Sequence, residues 1–207
     1  MKLYNLSLIK VWGINSNDIY FVGRGGSIAH YNGNSWEKIE SGTELYIIDI
    51  YGAQNNTTNK TEILAIGTQY IHGDEKNIIK INKNKTELLS YNPISSTLMG
   101  VFFIPQRCYY LVGDGIYKKH NLKNMLWKNI GKNITGYFTN KIRGSGINNI
   151  FAVGSYGEVL HYNGHTWKSY INTTKINGNY YSLSIKKNLV AIVGYNPPSA
   201  VITIGKR

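Results

Sequence analysis

The chain has 207 residues, a formal net charge of +12 and a single cysteine, Cys108. One cysteine excludes an internal disulfide, and no run approaches the ~18 consecutive apolar residues of a membrane-spanning helix. The opening residues carry charge but no apolar core long enough for a signal peptide. A cytoplasmic location is therefore expected unless an export signal has been removed, in which case an extracellular or cell-surface setting is favoured.

From the N-terminus, Lys2-Leu3-Tyr4-Asn5-Leu6 reads as a short strand. Ile9 to Gly13 makes a second, and the polar run from Ile14 to Asp18 makes a turn. Asn-Asp-Ile-Tyr-Phe-Val-Gly at 17–23 follows, apolar on both faces, as suits a sheet packed between two neighbours. Ser27 to Tyr31 is the next strand, Asn32-Gly33 a hairpin signal, and Trp36 to Ile39 a more polar outer strand.

The same order returns four times. Thr-Glu-Ile-Leu-Ala-Ile-Gly (61–67), Arg-Cys-Tyr-Tyr-Leu-Val-Gly (107–113), Asn-Asn-Ile-Phe-Ala-Val-Gly (148–154) and Asn-Leu-Val-Ala-Ile-Val-Gly (188–194) copy the run at 17–23. Their terminal glycines, starting from Gly23, are 44, 46, 41 and 40 residues apart. A period in the forties built from short apolar runs and turn residues marks a β-propeller. The sequence thus predicts an all-β, five-bladed propeller of four-stranded antiparallel blades in one domain, 1–207. The blades fall near 8–40, 46–90, 97–131, 138–172 and 179–207. The fifth runs out one strand short, so residues 2–6 are expected to supply its outer strand and close the ring.

Units one and four are the closest pair, sharing Gly-X-Ile/Val-X-His-Tyr-Asn-Gly-X-X-Trp at 26–36 and 157–167. These motifs resemble β-propeller repeats of bacterial secreted and surface proteins, of the Asp-box and photosystem II assembly-factor-like kind. The chain departs from an Asp box, because Asn32-Gly33 and Asn163-Gly164 replace the Ser-X-Asp-X-Gly order. The resemblance implies a fold and an extracytoplasmic setting and carries no catalytic residues. In size the ring is similar to tachylectin-type lectins, whose sugar-binding motifs the chain lacks.

His30, His120 and His161 are spread over three blades, too far apart to converge on a metal, and are expected to be structural. Trp36, Trp127 and Trp167 are expected to wedge blade against blade. Neither a metal nor another cofactor is called for. In a propeller the inner strands begin, and the second strands end, on one face. Positions there that differ between copies are Lys10, Asp49, Lys141 and Tyr181 at the inner-strand starts, and Arg24, Asp114 and Tyr195 after the glycines, with Tyr156 and the long loop from Tyr70 to Asp74 nearby. Polar groups and aromatics so converged suit a small polar ligand or a protein segment.

The leading expectation is a non-catalytic binding module, a monomer presenting that mouth to a glycan or a protein partner. The charge raises an alternative, an electrostatic binder of polyanions such as nucleic acid or acidic polysaccharide. A glycosidase-like enzyme is the minor alternative, with Asp49 and Asp114 as its carboxylates; nearby cations disfavour it by keeping both ionised.

Overall fold

A computed structural model describes residues 6–55, 57–69, 74–123 and 126–206. The first blade comprises β1 (Leu8–Asn15), β2 (Asp18–Gly23), β3 (Ile28–Tyr31) and β4 (Trp36–Ile39). The second has β5 (Tyr46–Gln54), β6 (Thr61–Thr68), β7 (Lys76–Asn82) and β8 (Lys85–Leu89); the third has β9 (Leu98–Ile104), β10 (Cys108–Gly113), β11 (Gly115–Lys119) and β12 (Lys128–Asn129). The fourth has β13 (Thr139–Gly146), β14 (Asn149–Gly154), β15 (Val159–Tyr162) and β16 (Trp167–Ser169), followed by one helical turn, α1 (Ile171–Thr174). The fifth has β17 (Asn179–Lys186), β18 (Leu189–Asn196) and β19 (Ser199–Lys206). Each sheet pairs antiparallel in sequence order, and together they form a five-bladed β-propeller. The fifth sheet has three described strands. The expected closing strand, residues 2–6, lies outside the described residues but for Leu6.

The Asn-Gly hairpins are wider than the two-residue turn that this dipeptide usually signals. Tyr31 pairs with Trp36, which leaves a four-residue loop. Asn32 Oδ1 accepts the Asn34 and Ser35 amides at 3.0 and 2.9 Å, and Gly33 takes the positive φ of 94°. Asn163 repeats this with His165 and Thr166, both at 2.9 Å. The side chain adds to a backbone bond that also closes each loop, from the Asn32 amide to the Ser35 carbonyl and from the Asn163 amide to the Thr166 carbonyl, both at 3.2 Å.

Four apolar cores fill the spaces between consecutive blades. Tyr20, Val22 and Ile28 of blade 1 meet Ile47, Ile50 and Ile79 of blade 2. Leu64 and Ile66 meet Val101 and Phe103, Phe102 and Val112 meet Ile142 and Leu160, and Val153 and Val159 meet Leu183 and Ile192. Cys108 is buried in the third core, where burial pushes its thiol pKa up. Large rings pass between blades where the next strand carries glycine. A Cβ on Gly52 would lie 2.4 Å from Trp12, and one on Gly144 would lie 2.6 Å from Phe102.

The outer tryptophans reach back as expected in two blades. Trp127 Nε1 donates to the Ser90 carbonyl of blade 2 at 3.3 Å, and Trp167 meets the Tyr110 ring of blade 3 edge-on at 6.2 Å. Trp36 instead packs on Phe21 and Tyr31 of its own blade. No apolar cluster among the described residues joins blade 5 to blade 1.

Candidate functional site

The mouth is shaped by one device used five times. In every blade the pairing of inner and second strand slips by one residue near the inner strand's start, at Ile9, Ile48, Met99, Asn140 and Tyr181. Such a bulge re-aims the side chains beside it. The residues that follow, Lys10, Asp49, Gly100, Lys141 and Ser182, pair with Val22, Ile66, Val112, Val153 and Val193. Tyr181 is therefore the bulged residue, not the counterpart of Lys10; Ser182 takes that place. Tyr181 lies as far before Gly194 as Lys10 lies before Gly23, but blades 1 and 4 carry a second register shift near the hairpin, between Gly13 and Asn15 and between Gly144 and Gly146, which blade 5 lacks.

Asp49 and Lys141 do meet, but not at the surface. Asp49 is fully buried, and its Oδ1 takes the Lys141 ammonium at 2.5 Å and Arg143 Nη2 at 2.7 Å. Its Oδ2 takes Arg143 Nη1 at 3.1 Å and the Val101 amide at 3.0 Å. One carboxylate thus ties blade 2 to blade 3 and blade 4. Gly100 leaves room for it, since a Cβ there would lie 3.3 Å from Oδ2. Burial alone would raise the Asp49 pKa, but the Arg143 and Lys141 charges outweigh it and hold the carboxyl well below its usual range. Burial, with Arg143 and Lys10 nearby, brings the Lys141 ammonium down to about 8 despite the pull of Asp49. The expectation that Asp49 and Lys141 face solvent is corrected: both are interior, because each neutralises the other.

Arg143 went unnoticed as a partner. It stands where the preceding blades carry Trp12, Tyr51 and Phe102, and a cation at an aromatic position was the available sign. Its guanidinium also lies 5.4 Å from the Tyr51 ring.

The remaining predicted residues sit at the rim. Lys10 is half-buried, while Arg24 is exposed with its guanidinium 5.6 Å from the Tyr46 ring. Asp114 is exposed; its amide donates to the Thr97 carbonyl at 3.1 Å, and its own carbonyl accepts the Tyr117 hydroxyl at 3.1 Å. Tyr156 is 61% exposed, held at a φ of 56° beside Gly157, with its ring 5.3 Å from that of Tyr137. A left-handed tyrosine is uncommon, and here it turns a large ring to solvent. Tyr181 and Tyr195 are exposed on blade 5. The loop from Tyr70 to Gly73, expected near the mouth, lies outside the described residues.

The histidines are structural where described. His30 Nε2 meets Asp18 Oδ1 at 2.7 Å with its ring stacked on Tyr20, and His161 Nε2 meets Asn149 Oδ1 at 3.0 Å with its ring stacked on Phe151. His120 is not their counterpart. Strand pairing puts Lys118 there, opposite Tyr110, with its ammonium 5.4 Å from that ring. Among the described residues no group of His, Cys, Asp and Glu could hold a metal ion, and no helix is long and apolar enough to cross a membrane.

No protein-family model matches the sequence, and no characterised protein matches it by sequence. Solved structures match by shape. A structure of YCF48 bound to D1 peptide superposes with a TM-score of 0.70 at 14% identity, covering 100% of this chain and 67% of that one. YCF48 from Cyanidioschyzon merolae gives 0.68 at 12% identity, with 100% and 72% covered. The likeness is one of fold. It agrees with the resemblance to photosystem II assembly-factor-like propellers. An ancestral GH74 enzyme also matches, with a TM-score of 0.62 at 16% identity over 93% of this chain and 29% of that one.

Proposed function

We propose that the protein is a non-catalytic propeller that holds a peptide segment of another protein at its mouth. The reading rests on one observation: large exposed tyrosines, Tyr156 with Tyr137 and Tyr181 with Tyr195, share a rim with the cations Lys10 and Arg24. Aromatic rings and guanidinium groups are the side chains that anchor peptide contacts most strongly. Asp114 supplies the complementary charge, and Asp49 with Lys141 holds the floor from beneath. The YCF48 structure with a D1 peptide supports the ligand class by analogy of fold.

Catalysis by paired carboxylates is disfavoured on chemical grounds. A glycosidase needs one carboxyl that stays protonated near neutral pH, and Asp49 is held ionised by two cations. Asp114 is exposed, in open contact with water.

The test is a peptide array, a glycan array and a polyanion titration run side by side with Tyr156→Ala and Arg24→Glu. Peptide binding that falls about tenfold in each variant is expected. Binding confined to glycans overturns the reading, as does polyanion binding that collapses steeply with salt and ignores Tyr156→Ala.

A further inference from the structure

Blade 5 differs from the others at its outer edge, and the repeat shows what is missing there. Each tryptophan of an outer strand stands opposite a fixed third-strand position: Trp36 opposite Tyr31, Trp167 opposite Tyr162, and Trp127 by Lys119, whose ammonium lies 4.8 Å from its ring. Three residues later comes an apolar residue over the third strand. Ile39 pairs with Ile28, while the Ile130 and Tyr170 amides each donate at 2.8 Å, to the Ile116 and Val159 carbonyls. Blades 1, 3 and 4 thus share the pattern tryptophan-x-x-apolar.

In blade 5 the third strand is β19, and no described strand pairs with its outer edge. Its residue in register with Tyr31 and Tyr162 is Gly205, since Val190 pairs with Gly205 as Ile19 pairs with Tyr31. A cavity of about 240 Å³ opens beside Gly205, lined mainly by apolar atoms, with Phe151 and His161 of blade 4 on its far wall. Phe151 occupies in blade 4 the position that Tyr110 occupies in blade 3, and Tyr110 is the ring that Trp167 touches. The cavity corresponds to the place that Trp167 takes against Tyr110, and among the described residues no outer-strand side chain fills it. Ile202, in register with the fully buried Ile28, is 70% exposed on the face it shares with Val193, where the described residues place no following blade. Lys187 and Lys206 stand at the cavity's lip.

We propose that β19 accepts an extended segment of another protein as an antiparallel fourth strand of blade 5. An aromatic side chain opposite Gly205 fills the cavity, an aliphatic one three residues on covers Ile202, and acidic neighbours suit the two lysines. Main-chain bonds along the edge supply affinity, and the slot supplies selectivity. The chain's own start matches this pattern poorly. Tyr4 is followed three residues on by Ser7, whose carbonyl already accepts the Arg24 amide in blade 1 at 2.9 Å. This edge is separate from the mouth, so either reading can fail alone.

The probe is a labelled peptide with the sequence of residues 34–41, Asn-Ser-Trp-Glu-Lys-Ile-Glu-Ser, titrated into the full chain. Saturable one-to-one binding is expected, with hydrogen-exchange protection gained along β19. Replacing the peptide's tryptophan by alanine, or Ile202→Asp in the protein, should weaken it about tenfold each. A peptide with proline in place of its first glutamate, whose amide would face β19, should not bind, and Tyr156→Ala at the mouth should leave binding unchanged. Absence of binding, or indifference to Ile202→Asp, overturns the proposal. So does binding that appears only after residues 1–5 are deleted, which would make the chain's own start the occupant.

Discussion

Blades 2 to 4 and the outward faces of blades 1 and 5 carry the same residues in opposite surroundings. Ile50, Val101 and Ile142 lie at one repeat position, each at most 1% exposed against the preceding blade; Val11, at that position in blade 1, is 53% exposed. Val22, Ile66, Val112 and Val153 lie at another, fully buried against the following blade, and Val193 there is 42% exposed. A strand's apolar pattern records that a neighbour can pack on it. Burial needs the neighbour itself.

Four measurements would sharpen or break this contrast. The largest effect belongs to Asp49→Ala, which strands the buried Lys141 and the half-buried Arg143 and should cost about 3–5 kcal/mol in urea unfolding. The same carboxylate gives a pH signature. Its folded pKa lies below the unfolded value near 3.8, so its stabilisation is complete above that value and lost as the pH falls beneath it. Asp49→Asn should flatten that part of the stability profile.

Next, Ile142→Ala should cost about 2–5 kcal/mol by leaving a cavity between blades 3 and 4. Gly144→Ala should follow at about 1–3 kcal/mol, because the new methyl meets Phe102. Gly136→Ala, with no atom within 4 Å of the added carbon, is its control. The smallest effect should come from Val11→Ala and Val193→Ala, each within about 0.5 kcal/mol by thermal denaturation. A loss of 2 kcal/mol at either would mean that those faces are covered in solution.

The contrast also explains how much could be read beforehand. Blade number and strand order were legible, because Gly23, Gly113 and Gly154 end their second strands and Gly67 and Gly194 lie close to the ends of theirs. Trp127 and Trp167 behaved as the repeat implied, since a repeated position has a repeated neighbour. Trp36 did not, because among the described residues no blade packs in front of blade 1. Arg24, Asp114, Tyr156 and Tyr195, singled out by the same repeat, are all exposed. Tyr181 is out by one position because the hairpin of blade 5 lacks the second register shift of blades 1 and 4. The pairing of Asp49 with Lys141 and Arg143 was illegible for a different reason: it joins residues 92 and 94 apart, and a linear period says nothing about which charges point inward together.

That span has a consequence for synthesis. A nascent chain that has emerged only through blade 3 holds an aspartate in its interior with no counter-ion. Sealing of the centre must wait until residue 143 leaves the ribosome. The salt cluster thereby counts sheets, and truncation products ending before the fourth should be readily cleared by proteases.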